Sequence, residues 1–288
     1  AGAMPAGANN QTLAEGEAAG TAFGNGIGAT SLAALRSKPA AEIMAANFAP
    51  NVIVDNDVLP DQLDLLFAQK KINDVPLLLG WNTDEGTPYP PFASTVAAYN
   101  AAADARFRPM VVQFRSVYPV NTDADVQAMA YWPLRDNYFA WQPWTIARAH
   151  AAIGKFPTYL YFFTRRPPYF ADQHFTELDP PSRYGSYHTL EQVYFYNNLD
   201  RSAPPRPYTA VDRQIAEVAS SYLVNFAANG DPNGGTLPAW PAFTGPNSPT
   251  MEIGDNIRPV AVPFRPALDF FDAFYTQSLG RPLPFRSR

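Results

Sequence analysis

The chain lacks cysteine altogether. That excludes disulfides, thiolate catalysis and cysteine zinc sites. Histidine is scarce, with three residues in 288. No second histidine stands at metal-ligand spacing from His188, so no metal site is expected. Asp, Glu, Lys and Arg together reach only 16%, below the usual quarter. The 21 Lys and Arg are scattered and the net charge is −5, so the basic stripe of a nucleic-acid binder is missing. No apolar run approaches the length of a membrane span. The opening stretch AGAMPAGANNQTLAEGEAAG has neither a basic n-region nor an apolar h-region and does not read as a signal peptide. Missing disulfides do not fix the compartment. A secreted or periplasmic location is favoured over a cytoplasmic one, with any signal lying upstream.

What the chain does have is apolar and aromatic mass: 47% hydrophobic residues and 14% Phe, Trp and Tyr, enough for a large core. Its 17 glycines and 30 prolines imply many turns and long loops. Residues 12–48 read as helical. Thr12 followed by Glu15 makes a capping box, a second short helix covers 31–35, and a third starts at Pro39. NVIVDNDVLP (51–60) reads as a short strand running into a turn, 61–70 as a helix, and VPLLLGW (75–81) as an apolar strand buried on both faces. Helical pattern returns over 92–153, broken by Pro109, Pro119, Pro133 and Pro143. FPTYLYFFTR (156–165) is a strand rich in β-formers. Val211, Ile215, Val218, Tyr222 and Phe226 recur at three- and four-residue steps in a helix over 209–228, which stops at NGDPNGG. TMEIGD (250–255) reads as a last strand and 266–278 as a last helix. Strands alternating with helices give an α/β class with a largely parallel sheet. Roughly three or four strands are few for a free-standing α/β domain of this length.

In open α/β sheets, functional side chains gather in loops beyond the carboxyl ends of strands. Two loops qualify: LLGWNTDEGT (78–87) and SRYGSYHTLEQVYFYNNL (182–199). His188 follows Gly185, is flanked by Tyr184, Tyr187 and Tyr194, and has Glu191 three residues on. Those are surroundings that suit a general base, the alternative being a solvated loop imidazole. His150, in a helical pattern, reads as a surface or half-buried imidazole, and His174, in a polar loop, as solvated. Asp84 and Glu85 read either as solvated turn carboxylates or as an acid held out for chemistry. Taken jointly, a carboxylate after one strand and a histidine after the next form the acid-then-base half of a hydrolase triad. The chain order in α/β-hydrolases is nucleophile, acid, histidine. Tyr131, Trp132, Phe139, Trp141 and Trp144 read either as core or as the apolar wall of a substrate pocket.

These segments resemble the carboxylesterase type B family, which includes bacterial para-nitrobenzyl esterases and the cholinesterases. VDNDVLPDQLDLLFAQKKINDVPLLLGWNTDEGT is similar to the family segment leading to the catalytic glutamate. YLYFFTRRPP resembles the strand before the catalytic histidine, and GSYHTLEQVYFYNNL the histidine loop, where H-G-x-E is usual. SSYLVNFAANGDPNGGTLPAWPAF resembles the late helix and tail. The resemblance implies the C-terminal part of an α/β-hydrolase fold: a mostly parallel sheet flanked by helices. Residues 1–288 would be one portion of a single domain, with 88–153 an inserted, mainly helical region. It implies that Glu85 is the triad acid, because the family's acid directly precedes the glycine, here Gly86. His188 would be the general base, and Glu191, at the glutamate of the motif, its support. Thr189 departs from the pattern, standing where the family commonly has glycine, and a β-branched residue restricts the backbone there.

The larger departure is an absence. No G-x-S-x-G nucleophile elbow and no H-G-G-G-like oxyanion run occur in the chain. In the family both precede the segment that TLAEGEAAG resembles, so the chain is expected to start shortly after the nucleophile, which accounts for the shortage of strands. The resemblance thus implies a serine hydrolase of small uncharged carboxylic esters that uses no cofactor. This chain would supply acid and histidine, and an N-terminal segment or separate chain the nucleophile. Alone it is expected to be inactive, since Ser186 beside His188 has neither an elbow nor an oxyanion site. The other class is a non-catalytic, cholinesterase-like binding or adhesion module. Serine in the upstream elbow would mark the enzyme, glycine or alanine the module.

Overall fold

The computed structural model describes residues 10–48, 52–176, 178–280 and 283. They fall into two compact units, one within Pro5–Lys71 and the other within Ile72–Arg288. In the first, β1 (Gln11–Thr12) pairs in parallel with β2 (Ile53–Val54). Thr12 opens α1 (Leu13–Gly26): its hydroxyl accepts the Glu15 amide, and the Glu15 carboxylate accepts the Thr12 amide at 2.8 Å. This reciprocal cap is the one expected from Thr12 and Glu15. Ser31 caps α2 (Leu32–Ser37), Pro39 precedes α3 (Ala40–Ala45), and α4 (Leu63–Ala68) closes the unit. The short strand running into a turn expected over 51–60 is the two-residue β2 followed by a turn in which the Asp55 carboxylate accepts the amides of Asp57 and Leu59. Residue 51 lies outside the described residues.

The second unit is built on a sheet of β3 (Leu77–Asn82), β4 (Thr158–Phe163), β5 (Thr250–Ile253) and β6 (Ile257–Val260), in that order. The first two pairings are parallel and the last is antiparallel. The sequence reading missed β6. Its Pro259 argues against a strand, but an edge position has no need of that amide. Leu77, Leu78 and Leu79 are half-buried rather than buried on both faces. Among the described residues, β3 pairs with β4 alone, so its outer edge and part of its face are uncovered.

Between β3 and β4 the chain forms α5 (Val96–Phe107), α6 (Val111–Val117), α7 (Asp123–Met129), α8 (Trp132–Leu134), a π-helical turn at Arg135–Ala140, and α9 (Trp141–Ile153). Pro109 and Pro119 fall at helix ends. Pro133 and Pro143 do not break the path: each sits in the first turn of its helix, where a missing amide costs little. The wider π-turn ahead of Pro143 absorbs the carbonyl that this proline cannot serve. After β4 come α10 (Glu191–Phe195), α11 (Ala210–Asn229) and α12 (Arg265–Leu279). α11 starts on a Thr209–Asp212 capping box and ends on Gly230 in the left-handed conformation. Its Ile215 and Tyr222 are buried with Tyr159, Phe163, Tyr194, Trp240 and Met251 in the core against the sheet, while Val211 is exposed. The result is an α/β fold with sheets flanked by helices, interrupted by a bent helical segment.

Candidate active site

β3 and β4 run in parallel and in register from Leu77–Thr158 to Asn82–Phe163. Their following loops therefore leave the same end of the sheet side by side. The first loop turns at once: the Thr87 amide and hydroxyl both donate to the Asp84 carbonyl. Gly86 packs so close to the Tyr131 carbonyl that a Cβ would collide with it. The second loop passes through Gly185 at φ 62° and ψ −142°, a conformation reserved for glycine. A side chain there would also strike the Asp84 carboxylate.

Asp84 clasps the two loops. Its carboxylate accepts the Ser186 amide at 2.9 Å, and its own amide donates to the Ser186 carbonyl at 3.0 Å. It reads from sequence as a turn former, and the structure gives its side chain this longer reach. The Phe163 carbonyl accepts from both the Thr83 and Ser186 hydroxyls. Ser186 is fully buried in that role. Arg135, paired with Asp136, donates to the Thr83 carbonyl at 3.2 Å and braces the first loop from the other side.

This frame brings Glu85 and His188 together. The imidazole Nδ1 lies 3.5 Å from Glu85 Oε1, with the two side chains 29% and 6% exposed. That separation is too long for a formed hydrogen bond, and Nδ1 has no other partner among the described residues. His188 Nε2 has no hydrogen-bond partner among the described residues. Burial pushes the Glu85 carboxyl above the usual range; His188 partly offsets this and the neighbouring Glu191 carboxylate adds to it. Glu191, at the start of α10, is raised by burial as well and partly relieved by Asn82. Thr189 takes φ 72°, a left-handed conformation that strains a β-branched residue.

Asn82 is the residue that sequence reasoning missed. Fully buried at the end of β3, it donates from Nδ2 to the Tyr187 carbonyl at 2.8 Å and to Glu191 Oε2 at 2.5 Å. It thereby fixes the peptide just before His188 and holds Glu191 in place. The only local signal was a polar residue closing an apolar strand.

A cavity of about 420 Å³ opens beside the pair, lined by Leu77, Leu79, Tyr138, Phe139, Thr189 and Gln192 as well as Glu85 and His188. Phe139, carried by the π-turn, has its ring centroid 4.7 Å from that of His188, and Tyr89 lies 5.9 Å away. The other four aromatic side chains read as core or pocket wall, Tyr131, Trp132, Trp141 and Trp144, do not line this cavity. Trp132 borders another cavity with Gly86 and Arg183. Trp141 and Trp144 are buried, the first donating to Asp272 and the second stacked under Arg148 at 3.5 Å. They face inward because the buried Arg148–Asp272 pair, which ties α9 to α12, needs a hydrogen-bond donor and a ring around it. His150 is buried rather than at the helix surface, and His174 is exposed beside Asp179. Among the described residues, no cluster of His, Asp and Glu could hold a metal ion, and no helix is long and apolar enough to cross a membrane.

Parallel neighbouring strands that deliver a buried carboxylate and an imidazole from adjacent ends mark a hydrolase-like α/β fold. The carboxylesterase family model matches residues 14–267, and the chain belongs to that family. It is 30% identical to the fumonisin B1 esterase of Sphingopyxis macrogoltabida, over 81% of this chain and 44% of that protein. It is 25% identical to carboxylesterase 1C of Rattus norvegicus, over 82% and 45%. The solved structure of a "thermophylic PNB esterase" superposes with a TM-score of 0.67 at 19% identity, over 91% of this chain and 55% of that one, which shows a shared fold. The chain spans less than half the length of these curated relatives.

Proposed function

We propose that the chain is the C-terminal portion of a single carboxylesterase-type hydrolase domain, with 88–153 as its inserted helical region. In this reading it supplies the triad acid and general base of a serine carboxylic-ester hydrolase. The observation that carries the reading is the Glu85–His188 pair: a buried carboxylate on Nδ1 and an unpaired Nε2 beside a cavity. A serine supplied by a preceding segment attacks the ester carbonyl while His188 Nε2 takes its proton. His188 then protonates the leaving alcohol, and Glu85 holds the tautomer and stabilises the imidazolium. Water hydrolyses the acyl-enzyme by the same base. Backbone amides of that segment bind the oxyanion. Gly86 aims the acid, and Asn82 and Glu191 hold the histidine loop. The uncovered edge of β3 supports a further strand docking there. Walls of Leu77, Leu79, Tyr138 and Phe139 suit small uncharged esters. A non-catalytic binding module would have no use for an acid and imidazole so arranged.

The test is an assay of the 288-residue chain on a short-chain aryl ester, alone and co-produced with a preceding segment bearing a G-x-S-x-G elbow. The chain alone is expected to show no turnover sensitive to a serine-directed phosphonate, and the pair to show it. Phosphonate-sensitive turnover by the chain alone would overturn the division of labour. A well-assembled but inactive pair would favour the binding module.

A further inference from the structure

On the outer side of the histidine loop lies a second cavity, of about 220 Å³, which shares no lining residue with the one at His188. Its walls are four rings, each set nearly edge-on to the next. Tyr169 meets Phe175 at 6.0 Å and 77°, Phe175 meets Tyr184 at 5.7 Å and 84°, and Tyr184 meets Tyr187 at 6.2 Å and 73°. Arg206 closes the circuit. Its guanidinium lies 4.4 Å from the Tyr169 centroid and 5.5 Å from that of Tyr187, and donates to the Tyr187 hydroxyl at 2.8 Å.

Arg206 is set apart by what it lacks. Every other arginine that is buried or half-buried among the described residues has an acid within ion-pair distance: Arg115, Arg135, Arg148, Arg165 and Arg265. Arg206 is half-buried and has no such counter-ion among them, and no acid among the described residues lines its cavity. A box of aromatic faces by itself attracts cations. Here that place is already taken by the guanidinium, which leaves the remaining space positive. The volume is below the about 300–1,000 Å³ of sites for drug-sized ligands, so it fits a single ring.

We propose that this cavity binds one planar aromatic carboxylate. The carboxylate supplies the counter-ion that Arg206 lacks, and the ring takes up the edge-to-face order of the walls. The proposal stands independently of the esterase reading, because binding needs no nucleophile.

Titrating the 288-residue chain by calorimetry with benzoate, benzyl alcohol and benzyltrimethylammonium tests it. Benzoate is expected to bind about tenfold more tightly than either other probe, since a charge-assisted contact separates them. Arg206→Gln should remove that advantage and Arg206→Lys keep part of it. Should Arg206→Gln not fold, Tyr184→Leu, which leaves the Arg206 clamp intact, is expected to weaken benzoate about fivefold or more through loss of one ring wall. Nuclear Overhauser contacts should join benzoate to the Tyr169 and Tyr187 rings. Benzoate binding no tighter than benzyl alcohol, equal binding to wild type and Arg206→Gln, tighter binding of the ammonium probe, or contacts elsewhere would each overturn the proposal.

Discussion

His150 and His188 each pair with a carboxylate, yet their surroundings differ at every other point. His150 is 1% exposed, its Nδ1 lies 2.7 Å from the Thr158 hydroxyl, and its Nε2 lies 3.1 Å from Asp74. Nδ1 is hydrogen-bonded, Nε2 faces the Asp74 carboxylate without a formed hydrogen bond, and the ring joins α9 to the first residue of β4. His188 meets its acid through Nδ1 alone and keeps Nε2 unpaired at a cavity. The acids differ in the opposite sense. Asp74 is lowered, chiefly by the Lys155 backbone amide and less by His150. Glu85 is raised by burial. An imidazole enclosed by two polar neighbours holds structure together, whereas one with a single buried acid and a free nitrogen has the arrangement that the proposed general base needs.

The largest effect expected from this contrast is catalytic. With a nucleophile-bearing segment supplied, His188→Ala should lower kcat by about 10³-fold or more, while His150→Ala should leave kcat of the folded fraction within a few-fold. Equal losses of kcat would break the distinction. In urea melts the order reverses. His150→Ala leaves a cavity and an orphaned Thr158 hydroxyl and should cost about 2–4 kcal/mol, against less than about 1 kcal/mol for the half-exposed His188.

Acid pH sharpens the comparison by sign. Glu85 is raised above its ordinary 4.5, so the folded chain holds its proton at pH values where the unfolded chain has lost it. Stability from this group is present below pH 4.5 and is lost as pH rises through the folded value. Glu85→Gln should remove that decline. Asp74, lowered from 3.8, contributes stability above that value, which is lost as pH falls through the folded one. Asp74→Asn should flatten the acid limb instead. Urea midpoints from about pH 3 to 7 read both slopes, and slopes of one sign would refute the contrast. The smallest effect is at Thr189. Replacing it with glycine relieves a left-handed β-branched residue and should raise stability by about 0.5–1 kcal/mol after the entropic cost of glycine, read as a higher melting midpoint.

Much of the fold was legible in local patterns, because capping and periodicity are short-range. Thr12 with Glu15, the three- and four-residue steps ending at Gly230, and the β-formers before Arg165 each act over a few residues. Misreadings came where a distant group decided the outcome. Pro143 reads as a breaker, but the π-turn before it makes room. Trp141 and Trp144 read either as core or as pocket wall, and Asp272 and Arg148 decide it by drawing them inward. Asn82 carries no local sign of its two partners, which lie more than a hundred residues on.

The sequence by itself determined the residue types and their order: an acid after one strand, a histidine after the next, and no serine elbow. It also supplied the glycines that the left-handed backbone at Gly185 and the close approach of the Tyr131 carbonyl at Gly86 require. The tertiary structure alone decided which imidazole is left with a free nitrogen. Pairing β3 with β4 sets two loops side by side, Asp84 and Asn82 lock them together, and burial then raises Glu85. Burial and proximity are properties of the packed chain. The same His and acid types gave a buried brace at Thr158 and, at the strand ends, an imidazole with one nitrogen left open to a cavity, and only packing told them apart.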